Sequence, residues 1–346
     1  MKVPLHLFIV SLFLFFSSFR VSAQVSSVTN EFSIMFYNTE NFFDVENDSI
    51  TKDEEFTKEG NRRWTSGRLH VKAERLAKVI LAAGKWNAPV LVGLCEIENR
   101  DVLEMLCRIE PLTRYHYKII QKESPDSRGI DVALIYRPDL FHPVDYSAIP
   151  VVDPDDNSFK TRDILMVSGV LNGCDTIHVF VNHWPSRYGG IMETKKYRRL
   201  AAMTLKSSIL RILSMRSNAK IVCMGDFNDT PADESLTTII EAKPTDGAMK
   251  GELVNLSARW TSYDIQTIKS KYRWEVFDQF IVSDYFLTPT ECFQFKDCEI
   301  FNAPFLLEPD ISYGGVKPKR TYIGYRYNNG FSDHLPVLLR FSLKGY

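Results

Sequence analysis

The stretch Ile221-Val222-Cys223-Met224-Gly225-Asp226-Phe227-Asn228-Asp229 carries the strongest single signal in this chain. Its first four residues are apolar, and the run is long enough for a short buried strand bounded by glycine. The strand is followed at once by a carboxylate, an amide and a second carboxylate. A buried strand that presents such groups at its tip is suited to hold reactive chemistry there.

Other apolar runs lead into polar residues in the same way. Residues 34–37 end at Asn38, residues 90–95 at Glu96, residues 179–181 at Asn182-His183, and residues 274–277 at Asp278. Near the C-terminus the order is reversed, because Ser332-Asp333-His334 precedes the apolar run 335–339. If the first five strands run one way and the last runs against them, these polar ends meet. We therefore expect the functional site at that edge of the sheets.

The N-terminal residues predict a cleaved signal peptide over residues 1–23. Lys2 supplies positive charge, residues 5–16 are almost wholly apolar, and Val21-Ser22-Ala23 fits a small-residue cleavage site. The apolar core is too short for a typical spanning helix, although an uncleaved membrane anchor is the alternative. The sequence thus predicts an exported protein, periplasmic or secreted, without stable membrane insertion.

Composition limits the ways in which the chain attracts a partner. Of its 42 Lys and Arg residues, Lys2 and Arg20 fall in the predicted signal, which has no acid, so 40 basic residues remain against 43 acidic ones, a balance of −3. A near-neutral chain has no global field that attracts nucleic acid. Recognition of a phosphate must therefore come from a local patch. We expect residues 24–346 to form a single domain and a monomer.

The six cysteines have irregular spacings and do not predict a disulfide framework in a chain of this size. Cys95 and Cys223 lie within apolar strands, where a buried free thiol is expected. Export would permit Cys292 and Cys298 to pair, and the sequence leaves that question open.

Hydrophobic periodicity predicts helices over residues 69–83, 98–109 and 191–214, and strands over residues 115–121, 132–137, 164–171 and 177–181. Asn172-Gly173, between the last two strands, is a hairpin turn signal. Many strands with few helices indicate an α/β protein in which two mixed sheets pack face to face with helices outside. Residues 44–67 and 302–332 are too long to be simple connections, and we expect both to adjoin the site.

Taken together, the motifs resemble the endonuclease/exonuclease/phosphatase superfamily, which includes pancreatic-type deoxyribonuclease and the exonuclease III-type enzymes. The residues that carry the resemblance are Tyr37-Asn38-Thr39-Glu40-Asn41, Glu96, Asn182-His183, Gly225-Asp226-Phe227-Asn228-Asp229, Asp278 and Ser332-Asp333-His334. Each motif alone is weak, but the ordered set is specific and spans the whole mature chain. The resemblance implies a four-layer α/β/β/α sandwich of two mixed β-sheets flanked by helices. It also implies divalent-metal-dependent cleavage of phosphate esters.

The residue types fit that chemistry independently of the resemblance. A phosphodiester attacked by water needs a cation, a base and fixed donors for the developing charge. Glu96, with Asn38 beside it, offers hard oxygens suited to Mg²⁺, Mn²⁺ or Ca²⁺, and the resemblance adds Asp333 as a residue that faces the metal. Asp226 is placed to orient or deprotonate the water, and Asn228 to fix a phosphate oxygen or the nucleophile.

Two histidines complete the predicted machinery. His183 and His334 can donate protons near neutral pH. The resemblance implies that Asp278 holds His334 in its tautomer, and Asp131 is a candidate partner for His183. Arg128 and Arg187 are candidate phosphate contacts, because guanidinium groups match phosphate oxygens. For each residue the alternative is a strand cap or a satisfied hydrogen-bonding group. That alternative weakens because it has to apply separately at six strand ends.

The substrate is less sharply defined by sequence. Basic and aromatic residues alternate in the 302–332 segment, which suits a phosphate track with base stacking, but a loop packed by its own aromatics is an equal alternative. Acidic residues in the 44–67 segment would repel a polyanion. The leading hypothesis is a nuclease that acts on DNA or RNA. The alternatives are a phosphomonoesterase, a lipid-headgroup (sphingomyelinase-like) phosphodiesterase, or an inactive binding module of the same fold.

Overall fold

The structure is a computed structural model that describes residues 31–85, 87–247 and 249–343. The predicted signal peptide lies outside the described residues. Four α-helices form within them: α1 Ser66–Ala83, α2 Arg100–Arg108, α3 Ile191–Met215 and α4 Asp284–Leu287. The strands are β1 Glu31–Phe42, β2 Leu91–Ile97, β3 Lys118–Gln121, β4 Asp131–Tyr136, β5 Phe141–Ile149, β6 Ile164–Leu171, β7 Asp175–His183, β8 Lys220–Asp226, β9 Lys243–Pro244, β10 Leu253–Asn255, β11 Ile268–Ser270, β12 Arg273–Glu275, β13 Asp278–Ser283, β14 Phe293–Ile300, β15 Leu307–Pro309, β16 Val316–Pro318, β17 Tyr322–Ile323, β18 Arg326–Tyr327 and β19 Val337–Leu343.

Two large mixed sheets dominate the fold. One has the strand order β14-β19-β1-β2-β4-β3, and the other has the order β5-β6-β7-β8-β13-β10-β9. In the first sheet β1 and β2 are parallel and α1 connects them. In the second sheet β7 and β8 are parallel and α3 connects them. The predicted fold class, two mixed sheets with flanking helices, is confirmed.

Successive side chains along each strand point to opposite faces of its sheet and so belong to different layers of the sandwich. Ile34 and Phe36 of β1 belong to the core between the two sheets, together with β7 and β8 residues such as Val179 and Val222. Met35 and Tyr37 point the other way and pack in the cluster that contains α1 and α2. A third cluster joins the outer face of the second sheet to α3. Each fully buried large aliphatic or aromatic side chain contributes about 1.5–3 kcal/mol, so these three clusters supply most of the folding free energy.

The local sequence explains where several elements begin. The Thr65 side chain accepts a hydrogen bond from the Arg68 N–H at the start of α1, and Asn99 caps α2 by accepting from the N–H groups of Asp101 and Val102. The predicted turn between β6 and β7 is present, with φ of 50° at Asn172 and 67° at Gly173. Asparagine and glycine adopt this left-handed region at the lowest cost.

Strand direction brings the polar ends together. Parallel pairing places the C-terminal ends of β1 and β2 side by side, and likewise those of β7 and β8. β13 runs antiparallel to β8 and pairs Asp278 with Asp226 at its own start. β19 runs antiparallel to β1, so Asp333 and His334, which precede it, reach the same edge.

Two predicted strands differ from the structure. Residues 274–277 do not form a strand that ends at Asp278; Arg273–Glu275 pairs with Ile268–Ser270 in a separate hairpin, and Asp278 begins β13. The predicted strand 115–121 is shorter, because Leu112–Tyr115 forms a 3-10 turn and pairing starts at Lys118. Apolar runs of three or four residues do not reveal where the pairing partner stops, and that limit explains both errors.

The structure answers the question that the sequence left open about Cys292 and Cys298. Cys292 forms a disulfide with Cys174, 118 residues away in sequence and 6.3 Å away between Cα atoms, and not with Cys298. Cys298 is free and buried, as are Cys95 and Cys223. The disulfide joins the β6–β7 turn of the second sheet to the segment before β14 of the first sheet, and so links the two sheets covalently.

The two long segments are folded against each other. The 302–332 segment forms the hairpins β15-β16 and β17-β18. The guanidinium of Arg62 lies 4.8 Å from the Phe56 ring centre and 5.1 Å from the Tyr322 ring centre, so the two segments stack directly. Among the residues that the structure describes, no helix is long and apolar enough to cross a membrane.

Candidate active site

Asp226, at the end of β8, lies at the centre of the polar edge. It is 2% exposed, and its Oδ2 accepts a hydrogen bond from the Asn38 side chain at 3.1 Å. Its Oδ1 accepts from the Asn228 backbone N–H at 2.9 Å. The Nε2 atoms of His183 and His334 each lie 3.8 Å from Oδ2. Burial raises the pKa of Asp226 to about 6, a value suited to a general base.

His334 is held by a buried carboxylate. Its Nδ1 lies 2.7 Å from Oδ2 of Asp278, which is fully buried at the start of β13. Burial alone would lower the pKa of His334, but the charges of Asp278 and Asp226 outweigh burial and raise it well above the ordinary value of 6.5. The structure therefore places the predicted pair Asp278 and His334 in contact, and the neighbouring carboxylates favour the protonated form of His334.

His183 has the opposite electrostatics. Burial lowers its pKa well below the ordinary value of 6.5, and the charges of Arg162 and Arg128 lower it further. Its Nδ1 has no hydrogen-bond partner among the described residues. The two imidazoles on either side of Asp226 thus have pKa values shifted in opposite directions.

The expected partnership between Asp131 and His183 is wrong. The Asp131 carboxylate accepts hydrogen bonds from the Gln121 side chain and the Ser124 backbone N–H, both at 2.8 Å. These contacts hold the segment between β3 and β4, and burial raises the pKa of Asp131 to about 8. The position of Asp131 in the sequence, three residues after Arg128, did not reveal which way the Asp131 carboxylate points.

Glu96 offers the freest carboxylate oxygen of the site. Its Oε2 accepts from the Asn41 N–H at 3.0 Å. Its Oε1 has only distant neighbours, His183 Nε2 at 4.0 Å and Arg128 Nη1 at 3.8 Å. A carboxylate oxygen held in place yet without a hydrogen bond fits a hard divalent cation such as Mg²⁺. Asp226, Asp278 and His334 also bring one ligand atom each within 4.8 Å of one another. The Asp278–His334 hydrogen bond uses Oδ2 and Nδ1, and Asp278 Oδ1 has no hydrogen-bond partner among the described residues.

The other two predicted metal ligands are engaged by protein groups. The Asn38 amide donates to Asp226, and its Oδ1 accepts from the Glu40 N–H at 3.0 Å. The Asp333 carboxylate accepts from Arg320 at 2.8 Å. In this structure Asn38 orients the Asp226 carboxylate, and Asp333 belongs to a neighbouring group of ion pairs around Arg320. Ligation by Asn38 and Asp333 stays a prediction.

That ion-pair group was not recognised as part of the site in the sequence. Arg320 bridges Glu40 and Asp333, each at 2.8 Å. Lys72 of α1 is 1% exposed, and its Nζ donates to the Thr321 side chain and the Phe331 carbonyl, both at 2.6 Å. A lysine on the apolar face of a predicted helix was the available signal, because such a buried charge requires partners.

Left-handed backbone surrounds the site. Positive φ occurs at Glu40 (53°), Asn41 (61°), Glu96 (58°) and Asn228 (50°). Such conformations cost about 1–3 kcal/mol each in residues other than glycine, and they persist where the surroundings enforce them. Their concentration at these strand ends indicates that the backbone is shaped for the site.

The candidate phosphate-binding arginines fall into different environments. Arg128 is 42% exposed on its side chain and only loosely paired, at 3.8 Å from Glu96 and 3.7 Å from Asp126. Arg187 donates to the Asn228 carbonyl at 2.8 Å and pairs with Asp229 and Asp233 at 3.1 and 2.7 Å. The structure therefore gives Arg187 a bracing function, which its sequence position did not reveal.

Arg162 is a further residue that sequence reasoning missed. It pairs with Asp126 at 3.0 Å and donates to the Trp184 carbonyl at 2.7 Å. Its Nε has no partner among the described residues. Asn228 also donates to the Trp184 carbonyl, at 2.9 Å, so one backbone oxygen joins Arg162 to the predicted catalytic amide.

Comparisons with solved structures show the fold class. Humanized D. rerio TDP2 is 13% identical with a TM-score of 0.55, and the match covers 91% of this chain and 100% of that chain. An endonuclease/exonuclease/phosphatase family protein from Bacteroides thetaiotaomicron is 14% identical with a TM-score of 0.56, covering 91% and 99%. The human Nocturnin catalytic domain, with bound sulfate, is 15% identical with a TM-score of 0.52, covering 92% and 96%. These likenesses show that the chain shares the α/β fold of those structures.

The particular family follows from sequence. The profile of the endonuclease/exonuclease/phosphatase family matches residues 33–343, and the chain belongs to this family. Its members are metal-dependent phosphodiesterases and nucleases. No curated protein was found to match by sequence. D. rerio TDP2 has also been solved with a single strand DNA product, at 12% identity and a TM-score of 0.53 to this chain.

Proposed function

We propose that this protein is an exported, divalent-metal-dependent phosphodiesterase that cleaves DNA or RNA. The observation that carries the proposal is the position of Asp226, with His183 and His334 both 3.8 Å from its Oδ2. The two imidazoles have pKa values shifted in opposite directions, one well below and one well above 6.5. Groups whose environments separate their pKa values in this way suit a division of acid and base roles.

The protein groups have distinct roles in this proposal. Asp226 orients the attacking water and accepts its proton, and Asn38 and the Asn228 N–H hold the carboxylate in place. His334, held protonated by Asp278, donates to the phosphate or to the leaving oxygen. His183 is neutral and donates a hydrogen bond without carrying charge.

A divalent cation completes the chemistry. Glu96 would hold Mg²⁺, with Mn²⁺ and Ca²⁺ as alternatives of similar ligand preference. When bound, the cation supplies positive charge that neutralises the phosphate oxygens. Arg128 is exposed and loosely paired, so it is free to contact the phosphate next to this site.

Nucleic acid as the substrate is supported by the structure of D. rerio TDP2 with a single strand DNA product. The 302–332 segment gives less support than its composition suggested. Its Arg320 is bound to Glu40 and Asp333, and Tyr322 is buried beneath Arg62. Only part of the segment remains open, including Tyr325 at 61% and Tyr313 at 52% exposure. Exposed aromatic rings can stack on unpaired bases, which supports a single strand as the substrate.

The test is an activity panel on residues 24–346 with added Mg²⁺ or Mn²⁺. The substrates are plasmid DNA, RNA, bis(p-nitrophenyl) phosphate, a phosphomonoester and a phospholipid. We expect cleavage of nucleic acid and of the small diester, both abolished by Asp226→Asn. Preference for the monoester or the phospholipid would favour the corresponding alternative. Inactivity on all substrates with a fully folded protein would favour the binding module.

Export is supported by two features. Residues 1–23 have the pattern of a signal peptide. The Cys174–Cys292 disulfide suits an oxidising compartment. N-terminal sequencing of protein from the expressing cell should begin at Gln24, and an N-terminus that retains residues 1–23 would contradict cleavage. Light scattering on the same material tests the proposed monomer.

A further inference from the structure

A short hairpin extends from the proposed active site and takes no part in the chemistry proposed there. It consists of β11 and β12, joined by the two-residue turn Lys271-Tyr272, and we call it the arm. At its base, Ile268 pairs with His334 in an isolated antiparallel bridge. The Leu335 N–H donates to the carbonyl of Thr267, the residue just before the arm, at 2.7 Å. The base of the arm is therefore attached directly to the segment that carries His334.

Contacts on both strands hold the arm in place. Lys269 of β11 donates to Asp310 Oδ2 at 2.8 Å, and Glu275 of β12 pairs with Arg187 at 3.4 Å. Trp274 is partly buried and packs against the cluster that contains α1 and α2. The charges of Lys269 and Glu275 are thus already paired, and the arm has a defined position beside the site.

The tip of the arm differs from its base, because its side chains lack partners. Lys271, Tyr272 and Arg273 are exposed, and the exposure of Tyr272 is 73%. Among the residues that the structure describes, neither Lys271 nor Arg273 forms an ion pair, and the Tyr272 ring stacks on no other ring or cation. Lys271 has a φ of 56°, a conformation that a two-residue hairpin turn normally gives to glycine or asparagine. Folding alone does not explain a lysine and a tyrosine in this turn.

We propose that the arm binds an unpaired stretch of the nucleic-acid substrate, an inference that rests on the proposed function. Tyr272 would stack on a base, and Lys271 and Arg273 would contact the flanking phosphates. A ring between two cations suits a single strand, because every base has a π-face and every phosphate is negative. The tip has no aliphatic side chain to insert among lipid tails, which favours nucleic acid over a membrane surface.

The length of the arm determines which substrates it reaches. A strand rises about 3.4 Å per residue, so Tyr272 lies about 13 Å beyond the bridge between Ile268 and His334. Phosphates along one strand of DNA are about 3.4 Å apart along the axis. A substrate must therefore extend several nucleotides from the cleaved bond to touch the tip, and a dinucleotide is too short.

The experiment is fluorescence anisotropy of a labelled oligodeoxythymidine with residues 24–346, in the Asp226→Asn background with Mg²⁺ so that the strand is not cleaved. Tyr272→Ala should weaken binding by about tenfold, within the usual range for loss of one base–aromatic stack. Tyr272→Phe keeps the ring and should restore binding, whereas Tyr272→Leu should not. Tyr146→Ala, on the edge strand β5 and with 46% exposure at Tyr146, is the matched control and should bind as its parent does.

Two further measurements separate stacking from charge. On an oligomer made of abasic sites, Tyr272→Ala and its parent should bind equally, because there is no base to stack. Lys271→Gln combined with Arg273→Gln should lower the slope of log K against log salt by about 1.4, since each phosphate contact with a single strand contributes about 0.7. Thermal unfolding verifies that each variant is folded.

The outcomes distinguish this proposal from the proposed function. With Asp226 restored, Tyr272→Ala should lower the ratio of kcat/KM for a strand of about ten nucleotides to kcat/KM for a dinucleotide. A folded parent that neither binds nor cleaves nucleic acid overturns both proposals. If the parent cleaves nucleic acid but Tyr272→Ala binds the oligonucleotide equally well, only the role of the arm is overturned. Binding to phosphatidylglycerol vesicles that is lost in Tyr272→Ala, with oligonucleotide binding unchanged, overturns that role in favour of a membrane surface.

Discussion

Replacement of Asp278 by asparagine is the most informative single perturbation of the proposed mechanism. Asp278 is fully buried and contacts His334 Nδ1 at 2.7 Å. Asparagine has nearly the same volume and can still accept a hydrogen bond, so Asp278→Asn removes the charge with little change in packing. We expect Asp278→Asn to lower turnover and to keep the fold.

The size of the loss follows from the electrostatics. Two unit charges about 4 Å apart interact by about 4 kcal/mol at an effective dielectric constant of about 20. If that stabilisation serves the protonated His334 in the transition state, its loss lowers kcat by about 10³-fold, since each 1.36 kcal/mol is about tenfold in rate. This lies within the usual range of about 10² to 10⁴-fold for a general acid–base group.

The pH profile has a definite sign. In the parent, Asp278 and Asp226 raise the pKa of His334 well above 6.5, so the protonated form persists as the pH rises through neutrality. In Asp278→Asn, burial still lowers that pKa while the main opposing charge is gone. The basic limb of the kcat/KM profile should therefore move to lower pH by more than about one unit, because one unit corresponds to about 1.36 kcal/mol.

The assay is hydrolysis of bis(p-nitrophenyl) phosphate with saturating Mg²⁺ over a range of pH. Circular dichroism and thermal unfolding verify the fold, and Asp246→Asn, at an exposed position, is the control. A variant at position 278 with kcat within about threefold of the parent and an unmoved basic limb would refute the assigned role of His334.

Three further predictions concern the metal, the ion-pair group and the disulfide. Glu96→Gln should weaken the apparent Mg²⁺ affinity, measured from the rate as a function of Mg²⁺, by more than about tenfold, because the principal charged ligand is lost. Arg320→Ala should lower small-diester turnover as much as cleavage of long DNA, because its guanidinium holds Glu40 and Asp333. Cys174→Ser combined with Cys292→Ser should lower the free energy of unfolding in urea by about 2–5 kcal/mol.

Each of these has a control in the chain. Glu104→Gln, on the surface of α2, should leave the Mg²⁺ dependence unchanged, whereas undiminished turnover of the parent in excess chelator would contradict a metal requirement. Arg326→Ala, in the same segment but at a residue without an ion pair among the described residues, should spare the small diester. Equal losses of small-diester turnover in Arg320→Ala and Arg326→Ala would contradict a special role for Arg320. Cys107→Ser, a free cysteine, should leave the urea midpoint near that of the parent.

The polar residues at the ends of the apolar runs were enough to predict which side chains lie together at the site. The apolar runs before Asn38, Glu96, His183 and Asp226 each form a strand, and parallel pairing brings their ends together. These assignments depend on local sequence and on strand direction alone. That is why the fold class and the neighbourhood of the site were recoverable.

Side-chain partners were not recoverable from sequence, because they depend on contacts between distant segments. Asp229 directly follows the catalytic motif, yet it pairs with Arg198 of α3 at 2.6 Å. From the sequence, Arg320 is a basic residue on a long loop, where a solvated side chain is expected. In the structure it donates a hydrogen bond to Glu40, 280 residues earlier. Likewise, Cys292 pairs with Cys174, 118 residues away, and not with nearby Cys298, because the packing of the two sheets brings the first two together.

The order of the sheet has a consequence for when the protein becomes active. β19 lies between β14 and β1, and the Ser332 hydroxyl just before it donates to the Asn38 carbonyl, 294 residues earlier, at 2.7 Å. A chain that is still being synthesised therefore has neither His334 nor a closed first sheet. Under the proposed function, a nascent chain without β19 would lack a complete site, and activity would begin only after that strand joins the first sheet.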